Sequence, residues 1–173
     1  MTQRTKIWLG AITFAVTATI ASAQNTANRM GSPDNTWITK AAQGGMAEVE
    51  LGQLAQSKAS SDAVKQFGQR MVTDHTKAND ELKRIAADKG VTLPSGLDAK
   101  DQATRDRLSK LSGKEFDRAY MEDMVKDHRT DVAEFKKEAN SGKDSDVKAF
   151  ASKTLPTLEE HLRMAEQTLS STR

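Results

Sequence analysis

The chain has 173 residues, with 26 Lys and Arg against 24 Asp and Glu, three Pro, 5% aromatic residues and no Cys. That length suits one domain, and the missing Cys excludes disulfides, thiol catalysis, thiolate metal sites and covalent haem attachment. The near-balanced charge excludes the basic excess that nucleic-acid phosphates or a polybasic membrane contact would require.

In chain order, the first segment reads as a leader. Arg4 and Lys6 form a basic start, Ile7 to Ile20 is largely apolar, and Ala21-Ser22-Ala23 is the small-x-small pattern that precedes a signal-peptidase cut. The apolar stretch is shorter than the ~18 residues a membrane-spanning helix needs. Residues 1–23 are therefore predicted to be a cleavable signal peptide, and the protein to be exported to the periplasm, with envelope association as a variant. Cleavage removes Arg4 and Lys6 and leaves 24 basic against 24 acidic residues. The mature chain is then predicted to carry no integral membrane span and no lipid-accepting Cys. Its zero net charge favours self-association without specifying a homo-oligomer.

Residues 24–33 are small and polar and read as a flexible lead-in to one domain over 34–170. A first helix is predicted from Ser32-Pro33-Asp34, a capping residue and a first-turn proline, to about Lys58, with the seam Trp37, Ala41, Gly44, Glu48, Leu51 and Ala55. A second follows Ser60-Ser61-Asp62, with the seam Val64, Phe67, Met71, His75, Ala78, Leu82 and Ile85, and ends at Lys89-Gly90. A loop and a short polar helix, about Asp98 to Leu111, precede a third long helix. That helix opens on the capping box Ser112-x-x-Glu115 and carries Phe116, Met121, Met124, His128, Val132 and Phe135 on one side. After Asn140-Ser141-Gly142, the last helix, about Ser145 to Leu169, presents Val147, Phe150, Thr154, Leu158, His161 and Ala165. No stretch alternates with period two over a useful length, which excludes a β-barrel. Two short turns and one long middle connection predict an all-α, ferritin-like four-helix bundle: two α-hairpins joined by a long crossover that contains a short helix. Val64-Lys65-Gln66-Phe67 against Val147-Lys148-Ala149-Phe150 hints at a duplicated hairpin.

The three histidines of the chain, His75, His128 and His161, fall on the apolar seams of three different helices. If a seam takes three positions in seven, chance would put all three there about 8% of the time. The remaining helix offers Glu48, an acid that is costly in a core unless paired or metal-bound. Glu48, His75, His128 and His161, one from each helix, are thus the candidate ligands of a buried transition metal: iron, zinc or copper. Gly44-Gly45 and Pro156 disturb regular helix near Glu48 and His161, the kind of local damage that accompanies sites. Counting rise along the helices, His161 stands about 9 Å from the level of the others, apart from them unless the Pro156 bend brings it in.

Each His follows an acid, in Asp74-His75, Asp127-His128 and Glu160-His161, and each acid either faces water or orients a neighbouring ligand. Met71, Met124 and Met164 each lie one turn from a His, so a Met/His copper or haem carrier is an alternative, with packing the ordinary role of Met. No nucleophile elbow, phosphate loop, H-E-x-x-H or calcium loop is present, so nothing supports an enzyme acting on an organic substrate.

The segment Ala41-Ala42-Gln43-Gly44-Gly45-Met46-Ala47-Glu48-Val49-Glu50-Leu51-Gly52, with Met71-Val72-Thr73-Asp74-His75-Thr76-Lys77-Ala78-Asn79 and the closing Glu159-Glu160-His161, resembles the exported bacterial "domain of unknown function 4142" family. The resemblance covers about Trp37 to Gln167. It implies a ferritin-like fold and an envelope location, and supplies no activity. Di-iron bundles use Glu-x-x-His on two helices. Here the residues three before the histidines are Val72, Val125 and Leu158, so the expected site is mononuclear and His-rich, serving storage, buffering or stress protection. The competing expectation is a metal-free, non-catalytic envelope or stress-related interaction protein whose histidines serve packing.

Overall fold

The computed structural model describes residues 31–172; the predicted leader and residues 24–30 of the lead-in lie outside them. Five helices follow one another: α1 (Pro33–Lys58), α2 (Asp62–Asp88), α3 (Ala99–Ser109), α4 (Gly113–Ser141) and α5 (Ser145–Ser171). There is no strand among the described residues. The helix ends follow from local chemistry. Ser32 Oγ accepts the Asn35 N–H at 3.1 Å, and Asp98 Oδ1 accepts the Asp101 N–H at 2.8 Å. Asp144 Oδ1 accepts the N–H groups of Asp146 and Val147, and Gly90 closes α2 at φ +68°. The predicted capping box is not made: Ser112 occupies the cap of α4 with no side-chain cap bond. Pro156, which has no N–H to return to the turn before it, lies within a continuous α5.

Two apolar clusters define the topology. One joins Leu51 and Ala55 of α1, Val64 and Phe67 of α2, Phe116 and Tyr120 of α4 and Ala165 of α5, with Leu108 of α3. The other joins Trp37 and Ile38, Leu82 and Ala86, and Val147 and Phe150, with Phe135 and Ala139 packed against it. The end of α1 and the starts of α2 and α4 thus share one end of the bundle; the start of α1 and the ends of α2 and α4 share the other. The connection from α2 to α4 must run the bundle's length, which is the crossover of a ferritin-like bundle. Along the way α3 is tied to α1 by Arg105–Glu50 (3.2 Å) and to α4 by Arg107–Asp123. At the α1–α2 crossing, a Cβ on Gly52 would stand 2.6 Å from the Gly68 carbonyl, and one on Gly68 would stand 2.8 Å from that of Gly52. The two backbones come this close only because both residues lack side chains.

The duplication hinted at by Val64 to Phe67 and Val147 to Phe150 has a structural counterpart with the same offset of 83 positions. Asp117, at the start of α4, accepts the N–H groups of Ser60 and Ser61 and the Ser60 hydroxyl, clamping the α1–α2 turn. Asp34, 83 positions earlier at the start of α1, accepts the N–H groups of Lys143 and Asp144, clamping the α4–α5 turn. Phe67 and Tyr120 meet edge-on at 6.1 Å and 70°; their mates Phe150 and Trp37 meet at 6.2 Å and 69°. The hairpins α1–α2 and α4–α5 are therefore related by a pseudo-two-fold axis.

Candidate metal centre

Between the two apolar clusters lies a polar layer. Glu48, His75, His128 and His161 are all buried, with His128 at 0% and His161 at 1% exposure. The three rings form a nearly equilateral set: centroids are 5.8 Å apart for His75–His128, 5.4 Å for His75–His161 and 5.4 Å for His128–His161. One ring nitrogen from each lies within 4.8 Å of the other two.

The expected separation of His161 from the others does not occur, and the reason is side-chain direction. Helical Cα–Cβ bonds tilt toward the helix N-terminus. α5 runs opposite to α2 and α4, so His161 leans one way while His75 and His128 lean the other. Their rings converge although residue counting sets His161 at another level.

The hydrogen bonds set the ring tautomers. His128 Nδ1–H donates to the Met124 carbonyl at 2.9 Å, which leaves Nε2 as the lone-pair nitrogen. His161 Nε2–H donates to Asp74 Oδ2 at 2.9 Å, which leaves Nδ1. His75 Nε2, His128 Nε2 and His161 Nδ1 are buried with no hydrogen-bond partner, an expense a folded protein rarely tolerates without a use. Burial holds all three imidazoles neutral at neutral pH: His75 well below its ordinary value, His128 below it, and His161 down to about 4 against the opposing pull of Asp74. Neutral imidazole is the metal-ligating form.

Asp74 is the acid that sequence pattern left between two roles. It binds across to His161 of α5 rather than toward its neighbour His75, and Arg70 holds it from one turn earlier. Burial pushes its carboxyl up, but the bonds to His161 and Arg70 prevail and hold it below the usual range. A carboxylate behind a histidine fixes the ring and raises its basicity. Asp127 and Glu160 instead pair with Lys100 at 3.8 Å and Arg163 at 2.7 Å on the outside.

Glu48 does not join the trio's cluster. Its Oε1 stands 3.7 Å from His128 Nδ1, a nitrogen already bonded to Met124, and its Oε2 has no partner. Burial, with Asp127, Asp101 and Asp123 adding to it, raises its carboxyl well above the usual range. Asp131 went unnoticed in the sequence. Burial and then Glu48 raise its carboxyl to about 7, with His128 opposing. It lies three residues after His128, hence on the same face of α4, and it is the 83-position mate of Glu48; either signal would have found it. Burial holds these acids toward their neutral forms, and a cation bound in the layer would draw them toward the charged ones. Met71 and Met124, proposed partners of a copper or haem site, are fully buried in the first apolar cluster, and Met164 packs against it.

The residues fit a metal ion. Nitrogens at triangle corners no more than 4.8 Å apart stand at most about 2.8 Å from the centre, against about 2.0–2.1 Å for a metal–imidazole bond. Ring shifts below 1 Å, roughly, would close the site around an ion.

Over residues 19–168 the sequence matches the family model described as a domain of unknown function, DUF4142. The chain belongs to that family. No curated protein matches it. In fold, this DUF4142 chain is similar to the crystal structure of a DUF305 fragment from Deinococcus radiodurans, with a TM-score of 0.71 over 81% of this chain and 97% of that one. At 13% identity the likeness bears on the fold alone. No helix among the described residues is long and apolar enough to cross a membrane.

Proposed function

We propose that this DUF4142 protein is an exported envelope protein that binds one transition-metal ion through His75, His128 and His161, for storage, buffering or protection. The observation that carries the reading is the convergence of three buried imidazole rings from three helices, each keeping one ring nitrogen without a hydrogen-bond partner. Three neutral nitrogens without thiolate suit zinc, iron(II), copper or cobalt over magnesium or calcium, which prefer oxygen cages. Asp74 serves as the outer partner of His161, and Glu48 and Asp131 are carboxyls that an ion in the layer would help to ionise.

The test is elemental analysis of the untagged protein purified without chelators, with His75→Leu beside it. A near-stoichiometric metal that disappears in the variant is expected. Absence of metal from the wild-type protein, together with failure to take up zinc, iron(II), copper or cobalt in titration, would leave a packing bundle whose work is done on its surface.

A further inference from the structure

A cleft of about 40 Å³ leads from the surface, at Lys40 and Glu134, in to His75. Its place in the fold explains why it exists. Across the 83-position pseudo-two-fold, the mates of His75, His128 and His161 are Leu158, Gly45 and Ala78, and all three line this cleft. On one side of the axis Phe67 packs edge-on against the His128 ring at 6.3 Å. On the other, its mate Phe150 lines the cleft with Gly45, where there is no ring. The cleft is the volume that a second histidine cluster would fill, with the rings removed.

The walls are mostly apolar, Trp37, Leu82 and Phe135 among them, with a few polar groups set into them. Asn79 and Asp131 line the cleft beside His75, and a Cβ on Gly45 would stand 2.1 Å from Asn79 Oδ1, so Gly45 keeps that amide in place. A Cβ on Gly44 would meet nothing within 4 Å. The volume takes about two or three waters and falls far below the ~300 Å³ of a pocket for an organic ligand. Three histidines leave a tetrahedral ion one position short, and an open fourth position separates reactive metal sites from closed structural ones.

We infer that this cleft is the open coordination position of the histidine centre, admitting water or a two- or three-atom inorganic ligand to the ion beside His75, with Asn79 and Asp131 as its hydrogen-bonding walls. The inference rests on the metal reading above. Its test loads the purified protein with cobalt(II) and follows the visible ligand-field spectrum during titration with azide. A saturable change is expected in the wild-type protein. Gly44→Leu, which fills the cleft, should keep one cobalt per chain and bind azide at least ten-fold more weakly. Thr154→Leu, from another wall of the cleft, repeats the test should Gly44→Leu fail to fold.

Cobalt bound with a spectrum indifferent to azide would overturn the open position while leaving the metal site standing. Azide affinity unchanged in both filled variants would overturn the cleft as its route. Failure of the wild-type protein to bind cobalt or any of the other metals would overturn the metal reading itself, and this inference with it.

Discussion

His75→Leu should change the sign of its effect on stability with metal. In the chelated protein, His75 keeps Nε2 buried without a partner, and such a group costs about 1–3 kcal/mol. Leu is similar in volume and has no polar atom, so the chelated variant should be more stable by about that amount, or about 3–10 °C in melting temperature for a domain of this size. With metal the order reverses. Free ion at a thousand times its dissociation constant stabilises the wild-type protein by about 4 kcal/mol, which the variant, lacking one of three ligands, forgoes. Thermal unfolding by circular dichroism, once with chelator and once with excess zinc, reads both halves. If chelated His75→Leu melts below the chelated wild-type protein, His75 is a satisfied packing residue and the reasoning from orphaned nitrogens is wrong.

Gly68→Ala should cost about 1–3 kcal/mol in urea unfolding, because its Cβ would press on the Gly52 carbonyl, whereas Gly44→Ala should gain up to about 1 kcal/mol from helix propensity in open space. Asp34→Ala and Asp117→Ala each release a clamped turn and should cost about 1–3 kcal/mol apiece; the losses should add, since the turns lie at opposite ends of the bundle. A pH series tests the α2–α5 contact. Burial pushes the Asp144 carboxyl up, but the Lys89 ammonium and the N–H groups of Val147 and Asp146 outweigh it and hold it below its ordinary value. Its stabilisation is therefore complete above about pH 4 and lost as pH falls through the lowered folded value. Lys89→Met should flatten that acid limb of the urea midpoints.

Most of the architecture was legible because it rests on local signals. Ser32-Pro33, Asp98 and Gly90 mark helix boundaries within a residue or two, and the 3.6-residue seams identify the buried faces. The site was legible only as composition: three seam histidines on three helices. Their convergence was not, since residue counting follows Cα levels while antiparallel helices lean their side chains toward one another. The same limit hid the pairing of Asp74 with His161. Neighbours on a helix diverge by about 100°, so Asp74 could be read as facing water or orienting a ligand, but its partner, on another helix, has no mark in the sequence. Glu48 was correctly read as buried, but its seam position could not show that its carboxyl reaches the bonded nitrogen of His128 rather than the free ones.

The pseudo-two-fold separates what holds this bundle from what the bundle holds. The paired elements are structural: two aspartates that clamp the opposite hairpin's turn, and two edge-on aromatic pairs of nearly equal geometry. Fold stability needs each hairpin to dock on the other, a requirement that is symmetric, so both halves meet it with the same aspartate and with like aromatic pairs. The trio breaks the symmetry at every position: Gly45, Leu158 and Ala78 stand opposite His128, His75 and His161, and Thr157 stands opposite Asp74. Packing alone gives no reason for a ring on one side and a bare backbone on the other. One cluster of nitrogens with one adjoining void does follow if a single ion needs three protein ligands and a free position, because a second set of rings would fill the cleft that runs in from Lys40 and Glu134.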